Sequence, residues 1–509
     1  MRDHLQKMLQ TYFAYPSFRP GQEEVISRLL DGKNVLGVLA TGGGKSLTYQ
    51  LPSLLLPGMT VVVSPLISLM MDQVQQLRSQ RRVRAAYLNS AQDPVEARQT
   101  LRDLERGVYK LLYISPERLQ QPYVQEVLSR VGVSLFAVDE AHCISQWGHD
   151  FRTDYMRLPA VAKRLGNPPV LAVTATATAE VQAEICQLFS IRQENVVAFP
   201  VNRDNIALEV FHAATEAERR QQVMGLMDSL AGPGIVYCST RQAVDVLTAS
   251  YQLEGQKRVH GYHGGMNSME RMLIQAQFLS GELDIIVATN AFGMGIDKAD
   301  IRFVIHYQLP ASMEAYAQEI GRVGRDGRPG YAALFSVWDD VQIHQHMIER
   351  EYPSWQQVHE YCRLLAAGAT LSAEHYAALE LTEEMAGLLA YYAEKAAALR
   401  NKAMSAGGTS GTGDGQSIAD VIWRELESRK QRKGQKLSEI IRYVQEREHC
   451  LRKRLNGYFG DGERTFTSQC CSVCGLSREV YMEKKAPVSA HAEKEWDLRQ
   501  ALAKLLPNS

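Results

Sequence analysis

The sequence predicts an α/β protein of two doubly wound parallel-sheet lobes, then a helical region, then a small subdomain built around a cysteine cluster. Three observations carry this. Short β-branched runs alternate with amphipathic segments through residues 1–202 and again through 203–345. A glycine-rich loop, Thr41-Gly42-Gly43-Gly44-Lys45-Ser46, directly follows one apolar run. An acidic pair, Asp139-Glu140, closes another.

In the first lobe the predicted strands are Val35–Leu39, Thr60–Val63, Lys110–Ile114, Leu135–Val138 and Val170–Val173. They are near-continuous apolar runs, as buried parallel strands are. The second series is Gly234–Tyr237, Arg258–Tyr262, Asp284–Ala288, Phe303–His306 and Tyr331–Phe335, after a connection near Phe199-Pro200-Val201-Asn202-Arg203. Two such lobes leave a cleft at the carboxyl ends of their strands. Residues 346–404 lose the strand signal and read as helices, with Ser372 and Thr382 placed as N-caps. Residues 405–417 are a flexible Gly/Ser loop, 418–480 a helical cysteine-bearing subdomain, and 481–509 a tail with a short amphipathic helix over His491–Leu506.

At 509 residues the chain can hold three or four domains. Its net charge of −1 gives no bulk attraction for nucleic acid, so any basic surface must be local. The N-terminus lacks an apolar signal core, and no apolar run approaches the ~20 residues of a membrane helix. The expectation is a cytoplasmic protein without a membrane partner. Its thiols are then reduced, which favours a metal over disulfides.

The glycines of Thr41–Ser46 let backbone N–H groups face phosphates at a helix N-terminus. Lys45 reaches the β/γ-phosphates of ATP, and the Ser46 hydroxyl ligates Mg²⁺. Leu39 stands where the strict eight-residue phosphate-loop pattern has its first glycine. Asp139 at a strand end can hold Mg²⁺, and Glu140 can orient or deprotonate the attacking water. Arg322 and Arg325, spaced i, i+3, would share a helix face and stabilise charge on the γ-phosphoryl group when the cleft closes.

Together these motifs resemble the RecQ-type DNA helicases of superfamily 2, over residues 1–340 and 437–476. Phe18-Arg19-Pro20-Gly21-Gln22 is similar to the family's motif 0, where the glutamine reads adenine. Segments beginning at Val63, Tyr113, Thr174, Ile235, Ala288 and Gln318 resemble motifs Ia, Ib, III, IV, V and VI in order. The resemblance implies two RecA-like lobes and ATP contacts from Arg19, Gln22 and Gln318. It also implies strand contacts from Ser64 and Thr289. Ser145 to Arg152 resembles the family's aromatic-rich loop, which senses single-stranded DNA. There Trp147 and Phe151 offer stacking faces, worth ~1–3 kcal/mol per base, beside His149 and Arg152.

Cys450, Cys470, Cys471 and Cys474 can supply four thiolates to one structural Zn²⁺. Their spacing differs from paired CxxC hooks, and a reduced, metal-free cluster is the alternative. The flanking segments resemble the family's zinc-binding subdomain. Arg429, Lys430, Arg432, Lys433, Lys436, Arg452, Lys453 and Arg454 are a candidate phosphate-tracking surface. The segment after Cys474 is too short for the winged-helix and HRDC domains of longer relatives, which puts a strand-separating wedge in doubt. The resemblance implies an ATP-dependent 3′-to-5′ DNA helicase of recombination and repair. It implies a monomer that acts on single-stranded and forked DNA, has a single-stranded DNA-binding protein as partner, and associates with the nucleoid if bacterial. The alternatives are an RNA helicase or a DNA-stimulated translocase with weak strand separation.

Overall fold

The computed structural model describes residues 2–79, 83–145, 152–293, 298–369, 371–405, 417–460 and 470–483. Trp147, His149, Phe151, nearly all of the Gly/Ser loop and the tail helix lie outside the described residues.

Among the described residues the strands form two sheets, parallel throughout. The first holds β1 (Val35–Val38), β2 (Met59–Val63), β3 (Ala85–Leu88), β4 (Leu111–Ile114), β5 (Val133–Val138), β6 (Val170–Thr174) and β7 (Val196–Ala198). Their order is β3-β4-β2-β5-β6-β1-β7. The second holds β8 (Ile206–His212), β9 (Gly234–Tyr237), β10 (Val259–Tyr262), β11 (Ile285–Ala288), β12 (Phe303–His306) and β13 (Gly330–Ser336), in the order β10-β11-β9-β12-β13-β8. These are two RecA-like lobes followed by a helical region. The central strands are buried on both faces because Val, Ile and Leu fill both alternating positions and helices cover each side.

β3, β7 and β8 are strands that the sequence pattern does not announce. Ala85-Ala86 is weak β-forming sequence, β7 is three residues long, and β8 carries Glu209. Glu209 is nonetheless buried, because Arg478 meets its carboxylate at 2.5 and 2.8 Å and Tyr331 donates to it.

Thr382 Oγ1 accepts from the Met385 N–H at 3.2 Å, so helix Glu383–Ser405 starts where its cap stands. Helix Ile418–Val444 has two partners. Ala419, Ile422 and Leu426 share a core with Tyr352, Val358, Leu381 and Leu389. Leu437, Ile440, Tyr443 and Val444 join the core of the second lobe, together with Leu451, Leu455, Cys470 and Cys471. Among the described residues no helix is long and apolar enough to cross a membrane.

Candidate active site

β1, β6 and β5 lie side by side, so the segments after β1 and β5 emerge on one edge with Thr174 between them. The loop after β1 places Gly42 at φ 78°, a left-handed conformation that favours glycine. Its carbonyls are tied to the first lobe. Gln22 Nε2 donates to Gly43 and Gly44 oxygens at 3.0 and 2.9 Å, and the Arg19 guanidinium donates to Gly42. The Arg19 N–H in turn donates to Gln22 Oε1 at 2.9 Å. Arg19 and Gln22 therefore shape the glycine-rich loop as well as facing the cleft.

Asp139 is buried at the end of β5 and accepts from the Glu140 N–H at 2.9 Å and the Tyr49 hydroxyl at 3.4 Å. Burial, then the adjacent Glu140 charge, raise its carboxyl to about 6 against the pull of Lys45. Lys45 Nζ stands 3.3 Å from Glu140 Oε1. Glu140 itself sits at φ 46°, an unusual conformation for a side chain with a Cβ. His142 Nδ1 is 2.9 Å from Thr174 Oγ1 and 3.4 Å from Glu140 Oε2, linking β6 to the carboxylates.

The second lobe faces this edge with the segment after helix Met313–Ile320. Arg322 and Arg325 do not share a helix face as the spacing suggests. The helix ends at Ile320 and the arginines occupy successive turns, closed by Gly324 at φ 57°. Arg322 is 4% exposed and donates to the Gly293 carbonyl. The lobes touch closely here. A Cβ on Gly42 would lie 2.9 Å from Arg325 Cγ, and one on Gly321 would lie 2.7 Å from Thr41 Cβ. A cleft of about 560 Å³ results, lined by Arg19, Gln22, Thr41, Gly42, Gly44, Lys45, Ser46, Asp139 and Glu140 from one lobe and by Gln318, Arg322 and Arg325 from the other.

Gly43 is in the same loop, its N–H bonded to Ala40 at 2.8 Å. Ser64 and Thr289 directly follow β2 and β11, are buried, and do not line the cleft. Arg152 is half-buried, its N–H donating to Cys143 at 3.0 Å. Sequence reading does not single out Arg203. No motif marks it, and its signal is only an arginine between Asn202 and Asn205 in the inter-lobe connection.

The Sγ atoms of Cys450, Cys470, Cys471 and Cys474 all lie within 4.8 Å of one another. Three of their separations are 3.4, 3.5 and 3.8 Å. Tetrahedral Zn–S bonds of about 2.3 Å require sulfurs about 3.8 Å apart, whereas a disulfide holds them near 2.05 Å. The cluster therefore fits a closed zinc site. Cys450 stands at the N-terminus of helix Leu451–Tyr458. Burial opposes its ionisation, but the Lys453 and Arg452 N–H groups and the Cys470 thiol outweigh that and hold the thiol below its usual range.

Part of the candidate phosphate-tracking surface is buried or already paired. Arg429 is buried and donates to the Tyr352 hydroxyl at 3.1 Å. Lys433 pairs with Glu351, Lys436 with Glu314, and Arg454 with Glu446. Arg452 is 2% exposed and donates to Asn202 Oδ1 and the Arg203 carbonyl, each at 2.7 Å. These cations meet Tyr352, Glu351, Glu314, Glu446 and the turn at 202–206, partners that a charge run in the sequence does not reveal.

Family models match three stretches: DEAD/DEAH box helicase over residues 19–185, helicase conserved C-terminal domain over 218–327, and RecQ zinc-binding over 412–475. The chain is 41% identical over 489 residues to a probable ATP-dependent DNA helicase RecS of Bacillus subtilis, covering 94% of each chain. It is 42% identical to the ATP-dependent DNA helicase RecQ of the same organism, over 69% of this chain and 59% of that one. Among solved structures, Mycobacterium smegmatis helicase Lhr bound to ssDNA and AMP-PNP matches 68% of this chain and 49% of its own, with a TM-score of 0.55 at 20% identity. Dbp5 of S. cerevisiae bound to RNA and ADP BeF3 matches 68% of this chain and 92% of its own, with a TM-score of 0.55 at 19% identity. At that identity these two structures speak to the fold alone.

Proposed function

The chain belongs to the RecQ family of ATP-dependent DNA helicases, and on that premise we propose that it splits ATP between its lobes to move 3′-to-5′ along single-stranded DNA and unwind duplexes in recombination and repair. The observation that carries this reading is the meeting of Lys45, Asp139 and Glu140 with Gln318, Arg322 and Arg325 across one cleft. Lys45 exchanges Glu140 for the β/γ-phosphates when ATP enters. Glu140 then orients the attacking water and takes its proton, while Arg322 and Arg325 meet the charge that develops on the γ-phosphoryl group. Gln22 and Arg19 hold the loop and the base side.

Asp139 and Ser46 would hold a magnesium ion, which supplies neutralisation of phosphate charge. The residues fit one, because the adjacent carboxylates carry more charge than the Lys45 ammonium cancels. Because both lobes complete the site, nucleotide occupancy sets lobe closure, and cycles of closure step the protein along a strand. Trp147, His149, Phe151 and Arg152 report the strand to the carboxylates, with Ser64 and Thr289 on the strand side.

A forked DNA duplex with a 3′ single-stranded arm tests this. Strand separation is expected with magnesium and ATP and not in Lys45→Ala. Absence of both unwinding and DNA-stimulated phosphate release in the parent protein would refute it. Trp147→Ala is expected to keep ATP binding and lose stimulation by single-stranded DNA.

A further inference from the structure

The turn between the lobes, residues 202–206, is held from both sides. Arg203 reaches both lobes at once. Its Nη1 donates to the Thr41 carbonyl of the phosphate loop at 3.1 Å and approaches the Gly321 carbonyl at 3.5 Å. Its Nη2 donates to Val323 at 3.3 Å and to Gly324. Asn205 Nδ2 adds bonds to Gly324 and Arg328 carbonyls at 2.9 and 2.8 Å. One guanidinium thus satisfies carbonyls left over beyond helix Met313–Ile320, where a cation is favoured, and grips the opposite lobe at the same time.

Arg203 is itself held from behind. Arg452 donates to Asn202 Oδ1 and the Arg203 carbonyl, each at 2.7 Å, and to the Ile206 carbonyl. Arg452 lies in the first turn of the helix that Cys450 opens. A continuous set of bonds therefore runs from the cysteine cluster, through the inter-lobe turn, to the phosphate loop and the turns bearing Arg322 and Arg325.

We propose that Arg203 is a positioning residue that latches the two lobes, setting where Arg322 and Arg325 meet ATP, and that Arg452 fixes the turn from which Arg203 acts. Arg203 does not line the cleft and takes no part in bond making. Its effect is geometric: the planar fork of a guanidinium can hold Thr41 and Gly324 together, whereas an ammonium gathers its three donors on one nitrogen. The proposal rests on ATP being split in this cleft, and the parent protein controls for that.

The test compares full-length Arg203→Gln, Arg203→Lys, Arg452→Gln and the double variant Arg203→Gln/Arg452→Gln. Steady-state ATP hydrolysis with an oligonucleotide gives kcat and KM, titration gives the Kd for ADP, and calorimetry gives Tm. Arg203→Gln is expected to lower kcat ~10- to 100-fold, the range for a misplaced site. Its ADP affinity, which the first lobe supplies, and its Tm stay near parental values. Arg203→Lys recovers part of kcat. Arg452→Gln shows the same pattern more weakly, and the double variant is no slower than Arg203→Gln, as expected of residues acting as a unit. If Arg452→Gln does not fold, Arg452→Lys takes its place with the same expectation. A parental kcat in Arg203→Gln, or losses that multiply in the double variant, would overturn the latch. An inactive parent protein would instead refute the ATP reading itself.

Discussion

The two lobes repeat one topology and divide the chemistry unequally. With strands taken in chain order, the second sheet reads third-fourth-second-fifth-sixth-first, the same as the first sheet before its additional edge strand β7. After β1 comes the glycine-rich loop with Lys45; after β8 come Ala213 and Ala214, then Thr215 capping a helix. After β5 come Asp139 and Glu140; after β12 come Tyr307 and Gln308. The second lobe thus repeats the frame without the glycine-rich loop and the acidic pair. What it contributes comes from a different place, the turns after helix Met313–Ile320. Repeated folds need not repeat function; the side chains at the strand ends decide.

The edges differ in an instructive way too. In the first lobe β7 pairs with β1 and covers it. In the second lobe the corresponding side of β8 meets the cysteine module. Leu208 bridges Cys471 in parallel fashion, and its N–H donates to Cys470 at 3.2 Å. The cysteine turn thus stands where a seventh strand would, protecting an exposed edge.

The largest expected effect that sharpens the comparison comes from the strand-end carboxylate. Glu140→Gln should lower kcat for ATP by ~10²- to 10⁴-fold, whereas Gln308→Glu at the matching end of β12 should leave kcat near its parental value. Measured phosphate release from both variants decides; equal losses would break the asymmetry.

Cys471→Ser should act on the other edge. Loss of bound zinc, read by elemental analysis, should accompany loss of at least about 1.4 kcal/mol, or tenfold, in hydrogen-exchange protection across β8. Protection across β1 should stay unchanged. Equal loss in both sheets would contradict an edge role.

The smallest effect concerns Asp139. Its carboxyl is raised to about 6, so its charge costs the nucleotide-free protein stability above that pH. That cost fades as pH falls from about 6 towards 3.8. Asp139→Asn should therefore raise stability by roughly 1–3 kcal/mol at pH 8 without magnesium, and by little at pH 4, as urea titrations would measure. A stability loss at pH 8 would contradict the strained carboxylate.

The sequence exposes what depends on local pattern. Val35–Val38 leading into Gly42 to Ser46 is legible because a buried run, a glycine-rich turn and a helix start are adjacent in the chain. Asp139 and Glu140 are legible for the same reason, at the end of β5. β8 was hidden because its buried Glu209 is compensated by Arg478, far along the chain. Arg203 was hidden because its partners, Thr41, Gly324 and Arg452, come together only when both lobes and the cysteine module pack. The run Arg429–Lys436 reads as an open basic face because nothing local announces Tyr352, Glu351 and Glu314.

The claim that both lobes build the hydrolytic site is tested most directly by Arg322→Ala. Nucleotide affinity and single-turnover ATP cleavage are measured on the same protein with magnesium and an unpaired oligonucleotide. The expected result is binding close to that of the parent protein with cleavage slowed ~10³-fold or more, the range for removing a transition-state arginine. Cleavage at the parental rate would contradict the part assigned to Arg322 and, with it, the account of a site completed by the second lobe.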